Sequence, residues 1–460
     1  MKKLRYFIYT LLAVAVIMTI VYKMMDCGPS AHLSDDEKME AIIGSSGCMD
    51  CHSANPELPF YASFPLAGDL VQEDIAKGYK FFDMTAMLNA LKNGEHISEA
   101  DLAKVEKVLM KGSMPPAKYY LVHWGSVIND SEKEIALTWI KNYRAKHYPN
   151  PLAAPQFANE TVRPIPDSVE VNHAKAHLGE ILFHDVRMSS DNTISCASCH
   201  ALYTGGVDNK QYSVGVYGQT GGVNAPTVYN AYFNFVQFWD GRAVTLADQA
   251  AGPPLNPIEM GNNSFDEICK KLSADAQFNK AFTAVYPDGI NEKNITNAIE
   301  EYEKTLLTPN SRFDKFLKGD STALTENEIK GYELFKEYSC ATCHVGENLG
   351  GKSYELMGVH MNYFEKRDME LTDEDRGRHK QTSAERDMHR FKVPGLRNIA
   401  LTAPYFHDGT QKTIEDAVQA MGEHESGVIL TADENAQITA FLRSLTGEYK
   451  GQLLKNEASE

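Results

Sequence analysis

Three times the chain spells Cys-x-x-Cys-His: Cys48 to His52, Cys196 to His200 and Cys340 to His344. One such motif could be accidental, a redox pair or part of a zinc site. Three of them, each with the histidine joined directly to the second cysteine, point to covalently bound c-type haem. The thiols of Cys48, Cys51, Cys196, Cys199, Cys340 and Cys343 form thioethers with the vinyl groups, and His52, His200 and His344 reach the iron. Cys27 and Cys269 are left over, to pair or to stay free. Between Cys196 and Met260 the chain adds a carboxylate (Glu259), an amide (Gln249) and an indole (Trp239). A carboxylate beside an iron can shuttle protons, which is general acid–base work. The middle motif is therefore the candidate for catalysis, with an electron-transfer haem on each side.

The elements that must position these groups follow from length and pattern. The chain has 460 residues, enough for about three domains, and the motifs recur at roughly 145-residue intervals, one domain per haem. A net charge of -17 with no basic stripe argues against nucleic acid as a partner. The expected fold is mainly α: three cytochrome c-like haem domains in tandem with long loops, preceded by one transmembrane helix. The expected divisions are an N-terminal anchor over 1–26, a monohaem domain over 27–160, the catalytic haem domain over 161–310 and an electron-transfer haem domain over 311–460.

Met1 to Arg5 is basic, and Tyr6 to Tyr22 is almost wholly apolar, about the minimum length that spans a bilayer. Basic residues in front place the N-terminus in the cytoplasm. No small-x-small cleavage site follows, and Asp26 before Cys27 does not suit a lipoprotein. These features predict an uncleaved single-pass anchor in the inner membrane with the haem domains in the periplasm, where bacterial c-type haem is attached.

Beyond the anchor, helices are expected over Ser34 to Ile43 and Ser98 to Met110, the latter with Leu102, Val105 and Leu109 on one side. Ser131 and Glu134 form a candidate capping box for a helix carrying Trp139 and Ile140. This order, with Met114-Pro115-Pro116 before the last helix, resembles a small monohaem cytochrome c. The resemblance implies His52 as proximal and Met114 as distal ligand, a pairing suited to electron transfer; His123 competes with Met114. His96 and His147 read as surface histidines. Thr161 to Pro166 reads as a linker. Asp167 can cap a helix running to Leu182, Ser264 with Glu267 another, and Ile295 to Leu307 is helical. From Ser195 to Met260 the chain is expected to be mostly loop wrapped round a cofactor. Thr325 with Glu328 caps a helix into Cys340, and a terminal helix spans about Ala432 to Leu445. Glu365 to Arg390 reads as an exposed charged loop, and residues after Tyr449 as a tail.

The motifs Gly205-Gly206-Val207-Asp208, Asn224-Ala225-Pro226-Thr227, Phe238-Trp239-Asp240-Gly241-Arg242, Glu259-Met260, Val393-Pro394-Gly395-Leu396-Arg397-Asn398 and Pro404-Tyr405-Phe406-His407-Asp408-Gly409 resemble the bacterial dihaem cytochrome c peroxidases over about residues 165 to 450. With the anchor and the added haem domain, the whole resembles the membrane-anchored trihaem quinol peroxidases. The resemblance implies that Glu259 is the acid–base residue, that Gln249 orients peroxide, and that Pro253 lines the same loop. It makes Trp239 the tryptophan between two haems, Met421 the distal ligand of the His344 haem, and His407 a histidine near that haem. Asn224, Thr402 and Pro404 match positions that bind calcium, through the oxygen ligands a hard cation requires. Where many relatives carry a histidine that caps the peroxidatic iron, this chain has Val216, which predicts a five-coordinate iron at rest; Tyr217 is the alternative ligand.

The expected activity is reduction of hydrogen peroxide to water. Electrons would pass from quinol through the Cys48 and Cys340 haems to the Cys196 haem, or would come from a small soluble cytochrome c. The resemblance also admits a homodimer. A multihaem carrier without catalysis is the alternative, though a carrier has no use for Glu259 and Gln249. Haem oxidases that modify another protein are a further alternative, but they place tyrosine where Met421 stands.

Overall fold

The computed structural model describes residues 2–25, 28–121 and 123–455. Among them regular structure is almost all helical, with strands in two short antiparallel pairs: Tyr354–Leu356 with Arg390–Lys392, and Glu448–Tyr449 with Gln452–Leu453. The chain divides into two compact units, 1–149 and 150–460.

In the first unit the helices Asp35–Ser45, Glu99–Lys111 and Asp130–His147 bury Met39, Ile42, Leu102, Trp139 and Ile140 against one another. The Trp139 indole N–H donates to Asp36 at 2.6 Å. The capping box of the third helix is formed by Asn129 and Glu132 rather than by Ser131 and Glu134. Starting there puts Asp130 and Glu132 in the first turn, where the helix dipole favours anions. Cys27 lies outside the described residues.

The transmembrane helix expected over the N-terminal segment is not shown: among the described residues no helix is long and apolar enough to cross a membrane. The helix Lys2–Met25 comes nearest. Along it Leu11, Leu12 and Ile17 are exposed.

In the second unit the segments expected as two haem domains share one body, and the reason is a set of long-range contacts. Thr161 to Pro166 is not a free linker. Val162 and Ile165 are fully buried, Gly346 N–H donates to the Thr161 carbonyl at 2.8 Å, and Arg163 N–H donates back to Gly346 at 3.2 Å. The strip is docked on the loop that follows His344. Thr308 and Asn230 exchange two hydrogen bonds, and the Arg397 guanidinium meets Asp314 at 2.8 Å with both fully buried.

The helix His173–Phe183 packs on Glu292–Glu303 and starts at Asn172, whose side chain accepts from Lys175 N–H; Asp167 does not cap it. Ser264 makes no side-chain cap for Phe265–Ser273; Glu267 instead accepts from the Asn263 backbone. The helices Glu326–Glu337, capped by Thr325 and Glu328, and Ala432–Arg443, capped by Thr431 and Glu434, pack on each other over Tyr332, Phe335 and Phe441.

Two further expectations change. The charged stretch from Glu365 to Arg390 is partly interior: Arg367 and Asp375 are buried, the guanidinium bonding Asp375 and Asp408 at 2.7 Å each. Residues 450–455 turn back to pair Gln452–Leu453 with Glu448–Tyr449, and the Tyr449 ring lies 5.3 Å from that of Tyr229.

Candidate active site

The three motif histidines differ in how their rings are held. His52 Nδ1 lies 2.8 Å from the Phe82 carbonyl, and His344 Nδ1 lies 2.9 Å from that of Leu349. A carbonyl can only accept, so Nδ1 carries the proton and Nε2 keeps the lone pair a metal needs. His200 Nδ1 is buried and makes no ordinary hydrogen bond among the described residues, with the Gly206 and Pro226 carbonyls facing its ring. Burial pushes all three imidazoles toward the neutral form. None of the six motif cysteines is taken up in a disulfide. Neutral imidazoles beside paired thiols fit covalent haem at each motif.

The expected loop from Ser195 to Met260 contains a helix, Leu246–Leu255, opened by a capping box of Thr245 and Asp248. Pro253 and Pro254 lie in its last turn, so the carbonyls of Gln249 and Ala250 lose their helical donors. Gln249 and Pro253, four residues apart, share one face. Asn256 ends the helix and turns the chain back, its side-chain amide donating to Glu259 Oε1 at 2.6 Å. Gln249, Pro253 and Glu259 are thus set by one helix and its cap. Burial pushes the Glu259 carboxyl above the usual carboxylate range, against the opposing pull of Arg242 and Asn256. The Arg242 guanidinium carbon stands 3.4 Å over the Phe238 ring and the side chain pairs with Asp240 at 3.0 Å. Neither Asn256 nor Arg242 was marked as a site residue by sequence. The three-residue spacing from Asn256 to Glu259 is the signal that could have found the first.

Val216 is fully buried, and its N–H donates to the Glu259 carbonyl at 2.9 Å. Gly215 allows this approach: a Cβ there would lie 2.1 Å from the Ile258 carbonyl oxygen. On the far side the Val216 methyl meets Gly261, whose φ of 68° suits glycine. Tyr217 is 74 % exposed with its hydroxyl 3.3 Å from Ser190. The loop that could cap an iron is therefore fastened to the Glu259 backbone by an apolar residue.

The Trp239 N–H donates to the Asn224 carbonyl at 2.9 Å. Its ring stands 6.3 Å from that of His407, which stacks on Phe391 at 4.3 Å. His407 Nε2 donates to Asp375 at 2.8 Å. Asn224 N–H donates to the His407 carbonyl, and Asn209 donates to the Leu401 and Ala403 carbonyls. Asn224 is thereby tied to the turn after Thr402 and Pro404. Among the described residues no group of three or more His, Cys, Asp and Glu could hold a metal, so a calcium ion here would rely on backbone and amide oxygens.

Of the outer methionines, Met421 is half-buried and sits where the helix Ile414–Met421 passes into the π-helix Gly422–Ser426, an irregularity frequent at functional sites. Met114 is 40 % exposed in the turn after Glu99–Lys111. The competing His123 has Nε2 engaged by the Tyr61 hydroxyl at 2.9 Å.

Residues 173–322 match the family model for di-haem cytochrome c peroxidase, and residues 21–142 match that of a haem-binding domain. The chain is 48% identical over 430 residues to a cytochrome c peroxidase of Escherichia coli (strain K12), covering 93% of this chain and 91% of that one. It is 46% identical to a cytochrome c551 peroxidase of Nitrosomonas europaea, covering 63% of this chain and 85% of that one. A solved MauG-like protein associated with microbial copper homeostasis superposes with a TM-score of 0.54 at 29% identity, covering 64% of this chain and 95% of the other. On these grounds the chain belongs to the di-haem cytochrome c peroxidase family and is an oxidoreductase of the peroxidase class.

Proposed function

We propose that this peroxidase reduces hydrogen peroxide to water at the Cys196 haem, with electrons delivered from quinol through the Cys48 and Cys340 haems. The balance is one peroxide, two electrons and two protons to two waters. The observation that carries the reading is the pairing of Val216 with Glu259: a half-buried carboxyl stands beside a loop whose buried residue, Val216, cannot ligate iron and whose Tyr217 is exposed with its hydroxyl on Ser190. The haem, when bound on His200, supplies the electrons and the Lewis acid. The chain's own work is proton movement. Asn256 occupies Glu259 Oε1, which leaves Oε2 to take a proton from one peroxide oxygen and return it to the other. Gln249 orients the substrate and Pro253 shapes the same wall. Electron paramagnetic resonance of the oxidised protein tests the open site. A high-spin signal from the Cys196 haem is expected, and a low-spin bis-histidine signal from it would refute the reading.

The rest of the proposal has its own tests. Pyridine haemochrome analysis should give three haems per chain, and magnetic circular dichroism of the native protein should show histidine–methionine ligation at two of them, by His52 and Met114 on the first and by His344 and Met421 on the third. Peroxide turnover in membranes should be faster with quinol than with a reduced small cytochrome c; the reverse would make the soluble carrier the donor. The helix Lys2–Met25 would hold the protein to the inner membrane with its haems in the periplasm, so activity should stay with membranes after a high-salt wash. Calcium held near Asn224, Thr402 and Pro404 would make turnover sensitive to a chelator and restorable by calcium.

A further inference from the structure

An ammonium group buried away from water is costly unless an anion stands beside it. In the 150–460 unit Arg163 meets Glu347 at 2.8 Å, Arg397 meets Asp314 at 2.8 Å and Arg367 meets Asp408 at 2.7 Å. Lys392 does not follow this pattern. It is 5 % exposed, and burial alone lowers its pKa to about 8, with no charge or hydrogen bond from the described residues acting on it. The polypeptide builds a place for a cation here and supplies no anion.

The position of Lys392 says which anion could reach it. It ends the strand Arg390–Lys392, lies opposite Tyr354, and its N–H donates to the Trp239 carbonyl at 2.8 Å. The next residue, Val393, accepts from Gly351 N–H at 2.7 Å, and the Pro394 carbonyl faces the His344 ring. Lys392 therefore stands on the segment that lies against the His344 loop. A haem joined to Cys340 and Cys343 brings two propionates, which are anions at neutral pH.

We propose that Lys392 is a haem-binding residue whose ammonium is the counter-charge of a propionate on the Cys340 haem. The proposal rests on the reading of Cys340 to His344 as a haem site. A positive charge held against that haem favours its reduced state, because reduction lowers the positive charge at the iron. Removing the charge lowers the potential.

The test is spectropotentiometric titration of the holoenzyme, with haem content measured in each variant. Lys392→Met should move the reduction equilibrium of the Cys340 haem about tenfold toward the oxidised form, about 59 mV for one electron. Lys392→Arg, which keeps the charge, should stay within about threefold of the wild type (by the same relation). An unshifted Cys340 haem in Lys392→Met, or a shift confined to the Cys196 haem, overturns the proposal. Should Lys392→Met fail to mature, resonance Raman spectra of the wild-type enzyme serve instead. Propionate bending modes should shift in heavy water if an exchangeable N–H donates to them, and unshifted modes overturn the proposal. Failure of the underlying haem reading is distinguishable, since the wild type would then lack the third haem altogether.

Discussion

The motifs at Cys196 and Cys340 are the same five-residue device placed in opposite electrostatic surroundings. Around Cys196 burial dominates: it pushes Glu259 up and, with help from Glu300, takes Glu303 to about 8. In the C-terminal part of the unit, burial also acts on Glu347, but the Arg163 and Lys352 charges outweigh it and hold the carboxyl at about 2. Burial of Asp375 is likewise outweighed, by the His407 hydrogen bond and by Arg367, so it stays well below the usual carboxylate range. One site keeps carboxyls able to hold a proton. The other keeps them as permanent anions tied to cations. The histidines differ as well: His344 Nδ1 is fixed on Leu349, while the Gly206 and Pro226 carbonyls face the His200 ring without closing an ordinary hydrogen bond to Nδ1. The difference teaches that the two motifs share one Cys-x-x-Cys-His sequence and are set apart by the carboxyls around them; on the proposed function, the site that can hold a proton is the one that does chemistry.

The largest break in that contrast would come from Glu259→Gln, which keeps the shape and removes the titrating proton. Peroxide turnover should fall by about 10²–10⁴-fold, the usual worth of a general acid–base group, with haem content unchanged. Steady-state kinetics checks this, and a kcat within twofold of the wild type would take the acid–base role away from Glu259.

A smaller effect is expected on the anionic side. Arg163→Met leaves Glu347 without its main partner and should cost about 2 kcal/mol, below the 3–5 of a fully buried pair because Glu347 keeps some solvent. Since the pKa of Glu347 is depressed by folding, its contribution is fully present above the ordinary carboxyl range and is lost as pH falls toward about 2. Denaturation of the holoenzyme at pH 7 and at pH 3 should therefore show the full penalty at the higher pH and roughly half of it or less at the lower, which lies between the two pKa values.

Glu303 has the opposite sign. Its folded pKa is raised, so its contribution is present below the ordinary carboxyl range and disappears as pH rises through about 8. Glu303→Gln should gain at least about 1 kcal/mol at pH 8 relative to pH 4.5, because only the carboxyl must be kept protonated as pH rises, while the amide's own desolvation cost is the same at both pH values. Equal effects of the substitution at both pH values would show that the carboxyl is not held neutral by burial.

The candidate attachment residues could be read from sequence because covalent attachment of haem would fix their spacing: Cys196, Cys199 and His200 would have to be sequence neighbours. Amphipathic helices such as Glu326–Glu337 were legible for the same local reason, a period and a cap. What could not be read depends on contacts between distant residues. The docking of Val162 against Gly346 and the pairing of Asn230 with Thr308 leave no periodicity, so Thr161 to Pro166 passed for a linker. The helix that carries Gln249 was hidden by Gly252, Pro253 and Pro254, which read as loop but are tolerated in a last turn. The burial of Arg367 and Asp375 was hidden by their charge, since only a partner chosen by the fold makes such burial affordable.

Trp239 joins the two settings and gives the smallest and sharpest test. Its N–H is held by Asn224, its ring lies against His407 and Phe391, and its carbonyl receives Lys392. An ordinary packed aromatic in this place would be replaced by phenylalanine with a loss of stability and no change in electron delivery. A relay would respond in the opposite way. Trp239→Phe should slow reduction of the Cys196 haem by the Cys340 haem several-fold while both haems keep their wild-type potentials, as measured by stopped-flow absorbance after partial reduction. An unchanged rate with a lowered melting temperature would assign the indole to packing alone. The contrast between the two haem sites would then have to be bridged by another part of the Asn224–His407 wall.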